Sequence, residues 1–178
     1  MKNYYTKKEY QALVKSMRIV CTTNEQKNEH IKGWFDKHKI DHFDRALKTG
    51  DYCFMLPKNE ELGIPSDIYF TDELFLERKN SLDELASSIN NEAFHYELKR
   101  SQSIKNKFLL VEQQGGWHDI ITHNYNNKYS EKSYYNTLCT LMTNYGLKIC
   151  FVPKEEMGLM IYSICKSVLS QYCLHESV

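Results

Sequence analysis

A carboxylate and two basic side chains follow one another in a short segment of the chain. Glu77, Arg78 and Lys79 end a stretch, 69–79, whose alternating pattern predicts a β-strand. Side chains two residues apart on a strand point to the same face, so Glu77 and Lys79 are expected side by side and Arg78 on the opposite face. Such a carboxylate can hold Mg²⁺ or Mn²⁺, and such a lysine can position or help deprotonate a water that attacks a phosphate.

A second carboxylate is needed, because one carboxylate holds a divalent ion poorly. Asp51, which follows Gly50 at the turn into the preceding strand, is placed to supply it, and Asp83 is a candidate for a third. Taken separately, Glu-x-Lys on a strand is common as a surface ion pair, and Gly-Asp is common in turns. Their order along the chain matches the arrangement of PD-(D/E)xK nucleases.

The same residues resemble a known family. Gly50-Asp51-Tyr52, followed by Glu77-Arg78-Lys79-Asn80-Ser81-Leu82-Asp83, is similar to the Gly-Asp…Glu-Arg-Lys-x-x-x-Asp signature of XPF-type structure-specific endonucleases. The similarity continues through 81–89 and 108–112 and covers roughly residues 18–170.

This resemblance implies a restriction-endonuclease-like nuclease domain that cuts DNA phosphodiesters with Mg²⁺ or Mn²⁺. Branched, flap or single-strand-containing DNA would be the substrate. Carried over by position, Asp51 and Glu77 would be metal ligands and Lys79 the water-orienting lysine. Arg78 would make a supporting ion pair or contact a phosphate, and Asp83 would be a supporting carboxylate.

One part of the family pattern is altered. The first strand of the family usually ends in Asp-x-Arg-Glu, whereas this chain has Thr22 for the Asp and Asn24 for the Arg, and only Glu25 remains. One metal-binding carboxylate would then be missing, so activity would be weaker, rely on Glu25 or be absent. The alternative is therefore a catalytically silent nuclease-fold protein that binds DNA or a partner protein. An RNA-directed nuclease is a third reading, because the residues do not distinguish DNA from RNA.

Local signals predict the elements that must position these residues. Strands are expected at 18–21, 43–46, 52–56, 69–79, 108–111 and 147–152. Helices are expected at 6–17, from Thr23 or Asn24, from Leu82 after the capping box Ser81-x-x-Glu84, at 92–104, at 131–145 and from Pro153 to about 173. The alternation predicts an α/β fold with a central mixed β-sheet flanked by helices on both faces, and one nuclease domain over 1–178.

Composition adds broad limits. The 178 residues carry 23 basic and 23 acidic side chains, so long-range steering toward nucleic acid is not expected. No apolar run approaches the ~18 residues of a membrane span, and no signal peptide is visible, so a soluble cytoplasmic protein is expected. The small size suits a phage- or mobile-element-encoded protein. The six cysteines lack zinc or redox spacing and are expected to be reduced core residues.

Candidate DNA contacts follow the predicted site along the chain. The basic residues Lys99, Arg100, Lys105 and Lys107 could grip phosphates, although such clusters are often only solvated surface. Trp117 could stack on an unpaired base or anchor the next helix. The apolar stripe of the last helix is expected to be core. It is also expected to extend into a homodimer interface, because XPF-type domains pair through their C-terminal helices.

Overall fold

Seven strands form one sheet in the computed structural model, which describes residues 1–2, 4–25 and 27–174. The strands are β1 (Arg18–Cys21), β2 (His42–Asp44), β3 (Tyr52–Leu56), β4 (Ile68–Tyr69), β5 (Leu74–Lys79), β6 (Asn106–Glu112) and β7 (Lys148–Val152). The order across the sheet is β2-β1-β3-β5-β6-β7, with β4 paired to β3.

The sheet is mixed. β3 runs antiparallel to both β1 and β5, whereas β5, β6 and β7 are mutually parallel. The carboxyl ends of β1, β5, β6 and β7 and the amino end of β3 therefore lie along one edge, which we call the C-terminal edge. In open α/β sheets this edge is the usual place for a ligand site.

Seven α-helices cover the sheet. They are α1 (Lys7–Ser16), α2 (Glu29–Lys37), α3 (Leu82–Ile89), α4 (Glu92–Arg100), α5 (Trp117–Ile121), α6 (Glu131–Tyr145) and α7 (Met157–Cys173). The Thr6 hydroxyl caps α1 and Ser81 caps α3, as their side chains predict. α6 ends at Gly146, which adopts the left-handed conformation at φ +63°.

Two hydrophobic cores lie on opposite faces of the sheet. Helices α1, α2 and α7 pack on one face, where Leu76 of β5 points. Helices α3, α4, α5 and α6 pack on the other face, where Phe75 points. The α/β class and the helices on both faces are confirmed, and the apolar stripe of α7 belongs to the first core, as predicted.

Several boundaries differ from the sequence prediction. The expected strand at 69–79 is interrupted by a turn in which the Leu74 N–H donates to the Phe70 carbonyl over 3.0 Å. The turn separates β4, which pairs with the far end of β3, from β5, which pairs with its start. α2 begins at Glu29 rather than near Asn24, and the short helix α5 was not predicted as an element of its own.

Most of the cysteines lie in the interior of the protein. All six cysteines are free thiols, and Cys21, Cys53, Cys165 and Cys173 are buried as predicted. Cys150 is half-buried and Cys139 is exposed, so the prediction of a core position is wrong for Cys139. Burial raises the pKa of the Cys21 and Cys53 thiols to about 12, so they remain protonated core groups.

Within the described residues, no helix is both long and apolar enough to cross a membrane.

Candidate active site

The Gly50-Asp51 pair owes its geometry to the close approach of β5. Gly50 has φ +73°, and a Cβ added there would lie 3.0 Å from the backbone oxygen of Leu76. Only glycine adopts this conformation at this distance without strain. The Asp51 N–H donates to the same Leu76 oxygen over 2.8 Å. The turn therefore fixes Asp51 at the C-terminal edge, directly beside β5.

Asp51, Glu77 and Lys79 lie together there, on the sheet face covered by α3 and α4. An oxygen of Asp51 accepts a hydrogen bond from the backbone N–H of Arg78 over 2.8 Å. The Lys79 ammonium donates to Oε1 of Glu77 over 2.6 Å and lies 5.3 Å from the centre of the Phe94 ring of α4. Glu77 is only 4% exposed, and its second oxygen, Oε2, has no hydrogen-bond partner in the described part of the chain.

Burial and mutual repulsion disfavour the negative charges of this group. Desolvation raises the pKa of Asp51 well above its ordinary value, and the charge of Glu77 raises it further. Desolvation also raises the pKa of Glu77, although Lys79 opposes the shift. Burial acts to lower the pKa of Lys79, but the pairing with Glu77 outweighs it and the net shift is upward. Asp51 and Glu77 thus share a single cation, Lys79, and a second cation is needed to neutralise both carboxylates.

These carboxylates fit a magnesium-like ion. Mg²⁺ in proteins is commonly held by one or two carboxylates while water and substrate phosphate complete its shell. Asp51 and the unpartnered Oε2 of Glu77 supply that donor set. A third protein ligand is missing, since no group of three or more His, Cys, Asp or Glu converges among the residues that the structure describes. Thr22, 4% exposed, lies beside Asp51 and donates its N–H to the Asp51 carbonyl over 2.8 Å.

Arg78 lies on the opposite face of β5, as its position in the strand predicts. Its guanidinium donates to Glu112 Oε1 from Nε over 2.8 Å and from a terminal nitrogen over 2.7 Å. A second terminal nitrogen lies 3.2 Å from Glu25. The Nε2 atom of His30, in α2, lies 2.6 Å from the same Glu112 oxygen. Arg78 thus ties β5 to β6, to the loop after β1 and, through Glu112, to α2.

Glu112 and His30 are site residues that the sequence did not predict. Glu112 was noted only as the end of a similar segment, and His30 carried no signal at all. A charged residue ending a buried strand, as Glu112 ends Phe108-Leu109-Leu110-Val111, was the available cue. It did not identify Arg78 as the partner, because that requires knowing that β6 lies beside β5.

Asp83 lies in the first turn of α3 and fastens a loop. Its carboxylate accepts from the backbone N–H groups of Asn126 and Asn127 over 2.7 and 2.6 Å, and from the Asn126 side chain over 3.1 Å. The structure therefore shows Asp83 holding the segment before α6. Its predicted part as a supporting carboxylate of the site stays a prediction.

The predicted DNA-contacting residues separate into exposed and buried ones. Lys99 and Arg100 are exposed at the end of α4, and Lys105 is exposed in the following turn. Lys107 differs from the prediction: it is 8% exposed, and its ammonium donates to the Ile104 carbonyl over 2.5 Å, which removes it from a phosphate-binding surface. Trp117 is half-buried and packs against the second core beside Phe151 at a centroid distance of 5.3 Å.

The mixed sheet with helices on both faces is the fold of a restriction-endonuclease-like nuclease domain, and its two carboxylates and lysine lie together at one edge of the sheet. Residues 22–164 match the family model described as the ERCC4 domain. The chain belongs to this family and is an XPF-type nuclease domain.

Solved structures show the same fold. XPF from Aeropyrum pernix superimposes with a TM-score of 0.60 at 18% identity, over 84% of this chain and 64% of that one. XPF from Aeropyrum pernix in complex with DNA gives 0.60 at 17% identity, over 86% of this chain and 66% of that one. The chain thus spans slightly less than two thirds of the length of these structures. No curated protein matches it.

Proposed function

We propose that this chain is a metal-dependent endonuclease that hydrolyses DNA phosphodiester bonds. The observation that carries the proposal is the buried, unpartnered Oε2 of Glu77, close to a second carboxylate whose ionised form burial disfavours. A buried acceptor without a partner costs free energy, and a bound cation would remove that cost. Asp51 and Glu77 are the proposed metal ligands, and the ion is Mg²⁺ or Mn²⁺.

The remaining residues act around this pair. A divalent ion, when bound, neutralises charge on the phosphate and lowers the pKa of a bound water. Lys79 orients the attacking water, since its ammonium is already fixed by Glu77 at 2.6 Å. Arg78 is a positioning residue rather than a phosphate contact, because Glu112 and Glu25 engage its guanidinium on the other face of the sheet. Glu25 is a supporting residue that acts through Arg78.

DNA is the proposed partner, and α4 offers a surface beside the site that could bind it. Phe94 of α4 contacts the site through Lys79, and Lys99 and Arg100 lie in the last turn of the same helix. Exposed cations one to two helical turns along α4 from Phe94 suit contacts to flanking phosphates. Lys105 extends this basic surface. We further propose branched, flap or single-strand-containing DNA as the preferred substrate, because the family resemblance implies it.

A homodimer through the C-terminal helices also remains a proposal. The apolar residues of α7 that face the sheet are buried in the first core, including Ile161, Val168 and Leu169. Leu159, which is 47% exposed, is the large apolar side chain that α7 leaves on the outside. The measurement is analytical ultracentrifugation of wild type and Leu159→Glu.

The test of activity is a cleavage assay with Mg²⁺ or Mn²⁺ on single-stranded, duplex, forked and flap DNA. Wild type is compared with Glu77→Gln and Lys79→Ala, with EDTA as the metal-free control. Metal-dependent cutting that both substitutions abolish would establish the enzyme and rank its substrates. A folded wild type that cuts none of these DNAs would refute the catalytic proposal. Running the matching RNA strands in parallel tests the RNA alternative.

A catalytically silent protein that binds DNA or a partner is the second candidate. Thr22 favours it, because this neutral residue, bonded through its backbone to Asp51, stands where the family pattern has a carboxylate, and no third ligand converges among the described residues. Isothermal titration calorimetry with Mn²⁺ distinguishes the metal-dependent nuclease from the catalytically silent protein. Binding to wild type that Asp51→Asn removes supports the enzyme, whereas no binding to either supports the silent protein.

A further inference from the structure

A polar pocket opens at the C-terminal edge, beside the candidate active site but distinct from it. Its cavity has a volume of about 330 Å³, which lies in the range of pockets that hold small ligands. Ser81, which follows β5, and Gln113, which follows β6, line one side, and the loop His123–Asn126 lines the other. Since Lys79 and Ser81 are two residues apart, the pocket and the proposed metal ligands share one strand end.

The loop around the pocket is held rigidly. The Asp83 carboxylate binds the backbone of Asn126, and the Asp119 carboxylate accepts from the side chains of Gln113 and Asn124. Gly115 makes this possible, because a Cβ there would collide with the Asp119 carboxylate. The pKa of Asp119 is lowered by these hydrogen bonds, so its charge persists at neutral pH.

The anchoring determines what the pocket offers a ligand. The amide NH₂ groups of Gln113, Asn124 and Asn126 all donate to Asp119 or Asp83. Their amide oxygens accept no hydrogen bond from the residues that the structure describes. Each of the three amides uses one of its two N–H donors in this way, and its oxygen remains a free acceptor. Because the carboxylates of Asp83 and Asp119 lie directly behind these amides, the site suits a neutral group with N–H donors and disfavours a phosphate.

An exposed aromatic ring lies at the same pocket. His123 and Tyr125 stack with centroids 4.2 Å apart, and the His123 side chain is 38% exposed. His123 has φ +56°, the left-handed conformation that often follows a helix end, here that of α5, and its ring nitrogen lies 2.9 Å from Glu131. The His123 ring is therefore fixed by Tyr125 and Glu131 and remains partly exposed at the pocket.

We propose that this pocket binds the base of an unpaired nucleotide, with the base stacked on His123 and its amino group bonded to the amide oxygens. The proposal rests on the proposed function, because it assigns a single-strand-reading subsite next to the same strand end. Cytosine and adenine carry an exocyclic amino donor, whereas thymine presents a carbonyl oxygen at that position. The pocket should therefore prefer cytosine to thymine.

Binding of three single strands of equal length tests this preference: oligodeoxycytidine, oligothymidine and an abasic strand. All three carry the same phosphates, so the electrostatic contribution is matched at a given salt concentration. Fluorescence anisotropy in EDTA, which prevents cleavage, gives the affinities. Wild type should bind the cytidine strand about fivefold or more tighter than the abasic strand, with thymidine between them. Equal affinity for the three would overturn the proposal.

Two variants test whether the pocket is the source of a base preference. His123→Asn tolerates the same backbone conformation but lacks the ring, and it should lose most of the base-over-abasic preference. The control is Lys39→Asn, because Lys39 has φ 57° at the end of α2. Gln113→Lys keeps a donor for Asp119 and removes one acceptor, so it should reduce the cytosine-over-thymine ratio. Preferences that persist in both pocket variants would place base recognition elsewhere.

Base binding by the pocket and the proposed nuclease activity can be refuted independently of each other. Metal-dependent cleavage without base preference refutes the pocket and leaves the nuclease intact. Base preference sensitive to His123 in a protein that cuts no DNA refutes the nuclease and leaves a single-strand-binding protein.

Discussion

Replacing Asp51 by Asn should make the metal-free protein more stable. The buried group of Asp51, Glu77 and Lys79 has two carboxylates for one ammonium, and burial and Glu77 disfavour the ionised form of Asp51. Asparagine keeps an oxygen for the Arg78 N–H, 2.8 Å away, and removes the excess charge. We expect a gain of about 1 kcal/mol in unfolding free energy, typical of single stabilising changes. For a chain of this length the melting temperature would rise by about 2–4 °C.

The gain should depend on pH in a defined direction. Because its pKa is raised, folded Asp51 holds a proton more readily than the unfolded chain does. Wild-type stability is therefore lost as pH rises from about 4, the ordinary pKa of an aspartate, through the raised folded pKa. Asp51→Asn does not share this loss. The two proteins should converge below about pH 4, and the difference between them should grow as the pH rises from there through the raised pKa of folded Asp51.

Urea denaturation in EDTA across this pH range measures the effect. Lys79→Met is the opposing control, because it leaves Glu77 without its 2.6 Å partner and two buried carboxylates uncompensated. Breaking a buried pair in this way should cost about 3–5 kcal/mol. Adding Mn²⁺ should narrow the gap between wild type and Asp51→Asn, since only wild type would gain from binding. An Asn variant that is less stable at every pH would refute the electrostatic reasoning.

Three further changes test the framework around the site. Gly50→Ala should lose about 1–3 kcal/mol of stability through its positive φ and weaken Mn²⁺ binding. As a control, Gly33→Ala adds a methyl group at a helical position where it meets no other atom, and should gain about 0.5–1 kcal/mol in unfolding free energy. Denaturation measures the stability of the two variants, and calorimetric titration measures their Mn²⁺ binding. Glu112→Gln should lower the denaturation midpoint by the equivalent of about 3 kcal/mol, because Arg78 loses its main partner, and an unchanged midpoint would contradict this. Thr22→Asp should destabilise the metal-free protein and tighten Mn²⁺ binding by about tenfold in the same titration; unchanged affinity would mean that position 22 does not reach the ion.

Elements with local signals were predictable from the sequence. The prediction of a helix at 131–145 matches α6 because Ser130 caps its start and Gly146 ends it in a left-handed conformation. The pairing of Glu77 with Lys79 followed from strand periodicity alone. These features depend on residues no more than a few positions apart, so the sequence records them directly.

Features that depend on distant neighbours were not predictable. Lys107 was expected on the surface because it is a lysine, yet the carbonyl of Ile104 binds its ammonium in the interior. The partners of Arg78 come from β6 and from the loop after β1, and His30 joins from α2. No local pattern links residues 25, 30, 78 and 112, since their proximity arises only when β5 lies between β3 and β6.

The position of β5 explains why the charges buried on this strand leave an excess beside Asp51 and Glu77. Glu77, Arg78 and Lys79 are consecutive, and each is at most 9% exposed. Burying charges in a sheet is costly unless each is paired. Arg78 is compensated on one face by Glu112 and Glu25, and Lys79 is compensated on the other by Glu77. What remains uncompensated is Asp51 and the free oxygen of Glu77. Because the other buried charges of β5 are neutralised, Asp51 and Glu77 form the place beside this strand where a bound cation would remove an excess of negative charge.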